Sequence, residues 1–573
     1  MEFLDLIRAS KRINNVEDNV KDISVTILAD SASQHIATAL KGYGALQKLY
    51  FDIYDADYNQ VDLQIFDNSS ELYQKKPQWI LFFLCTQKLY EQFCECSEKK
   101  VFGDEVILKI KNYYNHINAN LKANIIQPLF IEEDNKIFGN YGLKIQESFI
   151  FQVKKINIAL MELAVATDNL YLINPNDYLL RYSREKAIDL PQYCNSKLAF
   201  SLDVLPDMAA DIVGIIRAKN GAVIKCVILD LDNTLWGGVI GDDGMEGIEL
   251  GELGIGYAFT DFQMWLKELK QRGILLCVCS KNNEDTAKEP FEKHPDMVLR
   301  LEDIAMFVAN WEDKASNIKM IQETLNIGID SMVFIDDNPY ERDVVRELVP
   351  GITVPDLPSD PALYKDYLIS LNLFETVSYS AEDSDRTKQY QEESARKIVQ
   401  KSFDDFNEYL KNIEMFGTCS RFEEFYYPRI AQLTQRSNQF NLRTVRYTET
   451  DIKRIAQSDE YIPLYFTLRD KFGDYGLISV VIMQKISDEE LFVDTWLMSC
   501  RVLKRGVEEF VVNSFVEKAA EAGFKKIKGE YLPTKKNAIV KDLYSTYGFS
   551  MTEPNSYELF VREFKPFKHN IKF

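Results

Sequence analysis

The stretch Lys225-Cys-Val-Ile-Leu-Asp-Leu-Asp-Asn-Thr-Leu-Trp-Gly-Gly-Val-Ile240 contains a short apolar run that ends in two carboxylates. The run Val227-Ile228-Leu229 is typical of a buried strand, and Asp230 and Asp232 follow it. Residues two apart on a strand point to the same side, so both carboxylates can face one site. Buried carboxylates cost free energy unless a cation meets them. Ligands of open parallel sheets bind at the carboxyl ends of the strands, so we interpret this stretch as the active-site strand.

The bulk composition excludes several classes of protein. The chain has 573 residues, with 67 basic and 88 acidic side chains and a net charge of −21. This balance argues against sequence-independent nucleic-acid binding and against docking on anionic membranes. Nine scattered cysteines and only four histidines make a structural zinc site unexpected and are typical of reduced thiols. With no visible signal peptide or long apolar segment, we expect a cytoplasmic protein without membrane insertion.

The order of predicted strands and helices indicates a multidomain α/β chain. We expect an N-terminal helix and connector (1–20), an α/β domain (21–221), a second α/β domain (222–372), a linking helix (373–403) and an α+β domain (404–573). The apolar segment Met297–Leu299 is predicted as a strand of the second α/β domain, and Lys536–Tyr547 is predicted as a helix.

Polar side chains follow the other predicted strands of the second α/β domain. Ser280 follows one strand, Lys314 lies in a later turn, and Asp336-Asp337 follow the last strand. Together with Asp230 they predict a carboxylate-rich pocket that also holds a lysine and a hydroxyl. Clustered carboxylates suit Mg²⁺, which prefers oxygen ligands. A carboxylate can attack phosphorus, a second can act as general acid and base, and the lysine and hydroxyl can bind phosphate oxygens.

These motifs, in this order, resemble a known superfamily. The segments D-L-D-N-T at 230–234, C-S-K-N-N at 279–283, N-W-E-D-K at 310–314 and F-I-D-D-N-P-Y-E-R at 334–342 are similar to those of the FkbH-like branch, subfamily IIIC-type, of the haloacid dehalogenase (HAD) superfamily. The resemblance implies a Rossmannoid parallel sheet and Mg²⁺-dependent phosphatase or phosphotransferase chemistry.

The resemblance also implies roles for individual residues. Asp230 would be the nucleophile and Asp232 the general acid/base. The metal would be held by Asp230, the backbone carbonyl of Asp232, and Asp337, with Asp336 in support. The residues expected to bind substrate or phosphate are Thr234, Ser280, Lys281, Asn282 and Lys314.

A cysteine precedes the phosphate-binding serine. FkbH-like proteins of polyketide pathways take a glyceryl unit from 1,3-bisphosphoglycerate, remove phosphate and load an acyl carrier protein. A thiol in the pocket could hold such an acyl group as a thioester, which makes Cys279 a catalytic candidate. The alternative is that Cys279 is a buried strand cysteine like Cys277.

The run Cys500-Arg-Val-Leu-Lys-Arg-Gly506 resembles the pyrophosphate loop of GNAT-type acyltransferases, in which a helix N-terminus binds phosphate. It departs from the usual pattern because Lys504 stands at the first glycine, which places coenzyme A binding in question. The resemblance implies a GNAT-like domain. Its candidate contacts to an acyl-carrier or CoA arm are Arg501, Arg505, Gly506, Asn537 and Tyr544.

The segment Val25-Thr-Ile-Leu-Ala-Asp30-Ser31 resembles the first block of SGNH hydrolases. Those enzymes need a late histidine, and none occurs between His116 and His294. We therefore expect a non-hydrolytic domain, in which Asp30 or Ser31 caps the following helix.

The expected fold is a HAD-type parallel sheet flanked by an SGNH/flavodoxin-like α/β domain and a GNAT-like α+β domain. The leading functional hypothesis is a Mg²⁺-dependent phosphatase for a small phosphorylated metabolite, coupled to acyl transfer onto a carrier-protein thiol. The alternatives are a plain metabolite phosphatase that uses the GNAT-like domain for recognition, and a non-catalytic binding protein.

Overall fold

A computed structural model describes residues 1–12, 21–379, 387, 390, 391 and 406–573. The chain divides into two compact units, Met1–Arg217 and Ala218–Phe573. In the described part, no helix has the length and apolarity needed to cross a membrane. Residues 13–20 of the predicted connector and most of the predicted linking helix lie outside the described residues.

The first unit is built on a five-stranded parallel sheet of order β2-β1-β3-β4-β5. The central strand is buried along its whole length, as its continuous apolar sequence predicts for a sheet covered on both faces. The strands are β1 Lys21–Ala29, β2 Leu49–Asp55, β3 Trp79–Phe83, β4 Asn124–Pro128 and β5 Leu170–Ile173. The helices are Phe3–Ser10, Gln34–Leu46, Val61–Phe66, Glu71–Lys75, Thr86–Glu95, Phe102–Asn120, Phe149–Val165, Asn176–Tyr182, Arg184–Ala187, Leu190–Ser196 and, running into the second unit, Leu205–Lys219.

The expected helix cap in this unit is wrong. The helix after β1 begins at Gln34 with Ser33 as its N-cap, so neither Asp30 nor Ser31 caps it. Asp30 instead accepts a hydrogen bond from the Cys85 N–H at 2.9 Å, and burial raises its pKa to about 6. Ser31 is buried beside it.

The second unit begins with a four-stranded parallel sheet of order β8-β7-β6-β9. Leu229 of β6 pairs with both Val278 of β7 and Ile335 of β9, so the carboxyl ends of these strands lie side by side. The strands are β6 Cys226–Leu229, β7 Leu275–Ser280, β8 Ile304–Ala309 and β9 Met332–Ile335. The helices are Ile240–Gly247, Gly254–Gln271, Glu284–Lys293, Lys314–Leu325, Pro339–Leu348 and Tyr364–Ser370.

The predicted strand Met297–Leu299 is wrong, and the strand that joins the sheet at this edge is β8. Met297 and Leu299 are buried, which explains the apolar pattern. The backbone N–H groups of Val298 and Leu299 both donate to Gln263 Oε1, at 2.9 and 3.1 Å. A side-chain acceptor thus satisfies the buried backbone in place of a neighbouring strand.

A seven-stranded mixed sheet of order β10-β11-β12-β13-β14-β16-β15 completes the second unit. All neighbouring pairs are antiparallel except β13 and β14, which run parallel and pair only over Glu490–Val493 and Lys526–Gly529. The expected multidomain α/β class is confirmed. The strands are β10 Phe416–Arg421, β11 Tyr461–Asp470, β12 Gly473–Lys485, β13 Glu490–Met498, β14 Lys526–Glu530, β15 Ser550–Glu553 and β16 Ser556–Phe560. The helices are Phe406–Asn412, Tyr427–Arg436, Glu449–Gln457, Val507–Glu521 and Leu543–Thr546.

The predicted helix Lys536–Tyr547 is reduced to the turn Ala538–Val540 and the short helix Leu543–Thr546. The buried Asn537 side chain explains the difference. Its oxygen accepts from the Thr534 N–H at 2.7 Å, and its amide donates to two backbone carbonyls at 2.9 Å. Such side-chain bonds to backbone compete with helix formation.

Candidate active site

Three carboxylates converge at the carboxyl edge of the β8-β7-β6-β9 sheet. Asp230 follows β6, and Asp336 and Asp337 follow β9. Each offers an oxygen that lies within 4.8 Å of the others. The aligned strand ends produce this cluster, as the sequence predicts.

A buried lysine bridges two of these carboxylates. Lys314 Nζ lies 2.9 Å from Asp230 Oδ2 and 2.6 Å from Asp336 Oδ2, and the lysine is only 3% exposed. It is the first residue of the helix Lys314–Leu325, which follows β8 and is capped by Asp313. The fold therefore brings the four sequence-predicted residues Asp230, Lys314, Asp336 and Asp337 together.

Burial dominates the electrostatics of this cluster. Burial raises the pKa of Asp336 to about 6, and the neighbouring Asp230 adds to the rise while Lys314 opposes it. Burial also raises the pKa of Asp337, again with a contribution from Asp230. For Lys314 burial acts in the opposite direction, but the Asp230 and Asp336 carboxylates outweigh it and its pKa is raised. The lysine thus stays charged and offsets part of the carboxylate repulsion.

The residues present fit a divalent cation. Asp336 has no exposed surface and is turned to Lys314, whereas Asp337 is only half-buried. Asp230 Oδ1 is buried and has no hydrogen-bond partner among the described residues. An orphaned carboxylate oxygen beside a second carboxylate is a ligand set that Mg²⁺ accepts. Asp230 and Asp337 are the residues that would hold it, and the carbonyl of Asp232 stays a predicted third ligand.

Asp232 is held by three donors. Its Oδ1 accepts from Trp236 Nε1 at 2.9 Å and from the Ile240 N–H at 3.0 Å, and its Oδ2 accepts from Asn282 Nδ2 at 2.8 Å. Burial raises the pKa of Asp232, and these donors act against the rise. A carboxyl group with a raised pKa and a fixed orientation suits a general acid/base.

The expected phosphate-binding residues divide into two groups. Ser280 and Thr234 are buried at the strand ends, and Thr234 Oγ1 accepts from the Asp337 N–H at 3.2 Å. Asn282 is turned to Asp232, and Lys281 Nζ lies 2.6 Å from Glu341 Oε1. The geometry therefore places Asn282 as a positioning residue for Asp232, which the sequence motif did not reveal.

Cys279 is buried in an apolar cluster next to the site, where the charges of Lys314, Asp230 and Asp336 act on its thiol. Alternate residues of β7 point to opposite faces, and Cys279 packs in the same apolar cluster as Cys277 and Cys226. It has no exposed surface, burial raises the pKa of its thiol, and its Sγ contacts the Lys314 carbonyl at 3.8 Å. The expectation that this thiol carries an acyl group does not fit the structure, because an acyl carrier needs an accessible thiolate.

Arg342 supports the carboxylate cluster, a role that the sequence motifs did not predict. It is buried, and its Nη1 donates to the backbone carbonyls of Asp336 and Asp337 at 2.8 and 2.7 Å. A cation one turn into the helix Pro339–Leu348 thus fixes the loop that presents both carboxylates. The signal was present in the motif at 334–342, but the spacing alone does not reveal a bond to backbone.

In the part predicted to be GNAT-like, a side chain of the helix Val507–Glu521 bonds back to the loop before it. The Lys504 N–H donates to Glu508 Oε1 at 2.9 Å, and Lys504 adopts the left-handed region with φ 62°. Glu508 is buried, and burial raises its pKa. The Glu508 carboxylate therefore accepts the Lys504 N–H, a backbone donor next to the helix N-terminus at Gly506.

The five residues expected to contact an acyl-carrier or CoA arm differ in exposure. Arg505 is buried and donates to the Tyr475 hydroxyl. Asn537 has no exposed surface and bonds to backbone, and Tyr544 packs in the core against Gly529. Arg501 lines a cavity, whereas Gly506 is the N-cap of the following helix. Arg505, Asn537 and Tyr544 are thus buried, and the contact of the five residues with an acyl-carrier or CoA arm stays a prediction.

The parallel sheet, Asp230 at the end of the inner strand β6 and the lysine-bridged carboxylates are typical of a HAD-type phosphatase domain. The chain is 46% identical to the N-terminal part of a Bacteroides fragilis protein whose crystal structure contains a phosphatase domain complexed with Mg. The match covers 66% of this chain and 100% of that one, with a TM-score of 0.63. Residues 24–217 match the family described as FkbH, N-terminal domain. The chain belongs to the FkbH-like family of the HAD superfamily, as its motifs indicated.

A second solved structure is matched at much lower similarity. The GNAT domain of PAT from S. lividans is 15% identical, with coverage of 25% of this chain and 90% of that one and a TM-score of 0.21. A likeness at this level carries no argument about activity. None of the curated proteins matches the chain.

We predict that Mg²⁺ stabilises the second unit through Asp337. Binding at about 100 times the dissociation constant adds about 2.7 kcal/mol to the free energy of unfolding, which calorimetry detects as a rise in melting temperature. Asp337→Asn should abolish this rise. Asp343→Asn, an exposed carboxylate of the following helix that pairs with Arg346, is the matched control and should retain it. An equal rise in all three proteins would contradict the assignment.

We predict that Asn282→Ala shifts the pH profile of the reaction. The Asn282 N–H stabilises the ionised Asp232, so its loss raises the Asp232 pKa. Since the general acid must be protonated, kcat/KM falls as pH rises through this pKa, and in the variant that fall should move upward by about one pH unit. An unchanged profile with a uniform loss of activity would refute the positioning role.

Proposed function

We propose that the chain is a Mg²⁺-dependent phosphatase that acts on a small phosphorylated metabolite. The observation that carries the proposal is the cluster of Asp230, Asp336 and Asp337 around Lys314 at one sheet edge. Mg²⁺ bound to this cluster would neutralise charge on the phosphoryl group and favour in-line attack.

The side chains of the site can divide the reaction between them. The Asp230 carboxylate can attack phosphorus through the oxygen that does not hold the metal and form an aspartyl-phosphate. Asp232 can protonate the leaving oxygen and then take a proton from the water that hydrolyses the intermediate. Lys314 and Ser280 can hold phosphate oxygens as charge develops.

We predict that Asp230→Asn removes Mg²⁺-dependent phosphate release from a generic phosphate ester such as p-nitrophenyl phosphate. Loss of a nucleophile lowers kcat by at least about 1,000-fold. Asp242→Asn, a change at an exposed acid on the helix after the nucleophile loop, should leave the rate unchanged. Wild-type activity in Asp230→Asn would overturn the role of Asp230 as nucleophile, whereas no activity of the wild type across a metabolite panel would favour the non-catalytic alternative.

We further propose that dephosphorylation is coupled to acyl transfer from a 1,3-bisphosphoglycerate-like substrate onto a carrier-protein thiol. Support comes from membership of the FkbH-like family and from the GNAT-like sheet within the same compact unit. The burial of Cys279 favours direct transfer to an external thiol over a protein-bound thioester at that position.

Pantetheine serves as a probe for this second step. We predict that mass spectrometry detects a glyceryl or phosphoglyceryl thioester of pantetheine when the protein is incubated with 1,3-bisphosphoglycerate and Mg²⁺, at a rate above the uncatalysed reaction. Cys279→Ser should form it equally well. Release of free acid and phosphate without a thioester would instead support the plain phosphatase.

A further inference from the structure

An ion pair joins the two loops that flank the nucleophile strand. Lys281, in the loop after β7, places its Nζ 2.6 Å from Oε1 of Glu341, which lies in the first turn of the helix Pro339–Leu348 after β9. Strands β7 and β9 are the two neighbours of β6, and Asp230 follows β6. The pair therefore connects the two sides of the candidate active site.

Lys281 lies at the rim of the site, outside the carboxylate cluster. Its side chain is 38% exposed, whereas the Lys314 side chain is 4% exposed. The next residue, Asn282, is buried and donates to Asp232 Oδ2, so the loop turns Asn282 inward and leaves Lys281 outside. The phosphoryl group that Asp230 attacks has to lie next to Lys314, whose Nζ is 2.9 Å from the Asp230 carboxylate. An anion bound to Lys281 lies farther out and is a different group.

Three cationic side chains occur in the loops that follow the four strands, which are residues 230–239, 280–283, 310–314 and 336–342. One is Lys314, which bridges Asp230 and Asp336. The second is Arg342, which is buried and bonds through Nη1 to two backbone carbonyls. The charges of Lys314 and a bound Mg²⁺ balance those of the three clustered carboxylates, so a second anionic group on the substrate needs a further cation. Lys281 is the cation of these loops that can supply it.

The ion pair at the rim can open at low cost. An ion pair with a solvent-exposed partner contributes little to stability, and Lys281 is such a partner. Glu341 is 9% exposed, but it lies in the first turn of a helix, where the helix dipole stabilises a carboxylate. Glu341 therefore keeps part of its stabilisation when Lys281 turns to another anion. Until then its carboxylate competes with that anion for the lysine.

We propose that Lys281 exchanges the Glu341 carboxylate for a second anionic group of the substrate and is thereby a specificity-determining residue. The site then favours small metabolites that carry a carboxylate or a second phosphate in addition to the phosphoryl group that is removed. A substrate without such a group leaves the ion pair closed and gains nothing from Lys281. The proposal rests on the phosphatase function and specifies its class of substrate.

Inhibition of Mg²⁺-dependent hydrolysis of p-nitrophenyl phosphate by the full chain tests the proposal. Three small inhibitors are compared: glycerol 3-phosphate, 3-phosphoglycerate, which adds a carboxylate, and glycerol 1,3-bisphosphate, which adds a second phosphate. We expect at least one of the two dianionic probes to inhibit at a concentration about tenfold lower than glycerol 3-phosphate, the effect of one charge-assisted hydrogen bond. The stronger of the two identifies the anion that Lys281 prefers.

Two variants of the ion pair should act in opposite directions. Lys281→Met should remove the advantage of the dianionic probes, because their second anion loses its partner. Glu341→Gln should increase that advantage, because the competing charge is gone while the shape of the side chain is kept. Lys293→Met is the matched control, since Lys293 is exposed with its Nζ 2.7 Å from Glu289 Oε1, and it should be inhibited as the wild type is.

A merely structural role of the ion pair would give a different pattern. Both variants would then change inhibition by all three probes alike, and this result would overturn the proposal. Equal weakening of all three probes in Lys281→Met alone would also overturn it, because Lys281 would then hold the phosphoryl group that is removed. Hydrolysis with no advantage of either dianionic probe in the wild type would overturn this proposal alone, whereas no hydrolysis by the wild type would overturn the phosphatase function and this proposal with it.

Discussion

The ion pair network of Lys314 with Asp230 and Asp336 is the constraint on which the phosphatase site depends. Two carboxylates and an ammonium group are buried together, and removing either partner of such a pair typically costs 3–5 kcal/mol. The network also distinguishes the carboxylate that only supports the site from those that can contact a metal or a substrate. Asp336 is committed to Lys314, which leaves one oxygen of Asp230 and the half-buried Asp337 for a metal and a substrate.

The sheet makes this network possible. Since β6 lies between β7 and β9 with their carboxyl ends in register, residues distant in sequence reach one edge without long side chains. Arg342 then fixes the loop after β9 by bonding to two backbone carbonyls. The same strand geometry that brings Ser280 to the site turns Cys279 into the apolar cluster on the opposite face.

Much of this site could be predicted from the sequence, because short motifs at strand ends translate directly into positions on a sheet edge. The sequence predicts that Asp230, Lys314 and the carboxylates after β9 converge, and the structure brings them together. The predictions of secondary structure that are wrong concern segments in which a side chain bonds to backbone groups distant in sequence. Gln263 replaces a strand partner for Val298 and Leu299, and Asn537 interrupts a predicted helix. The sequence indicates that the loop at Lys504 departs from the GNAT pattern. The hydrogen bond from the Lys504 N–H to the Glu508 carboxylate is visible only in the structure.

In the proposed mechanism, Asp230 becomes covalently phosphorylated in each turnover. The most direct test is intact-protein and peptide mass spectrometry of the Asp232→Asn variant, quenched in acid after exposure to Mg²⁺ and p-nitrophenyl phosphate. Without the general base, hydrolysis of the aspartyl-phosphate should be slow, so we expect an added phosphoryl group on the peptide that contains Asp230. Phosphate release in the wild type, with no such adduct in Asp232→Asn and undiminished release in Asp230→Asn, would contradict it.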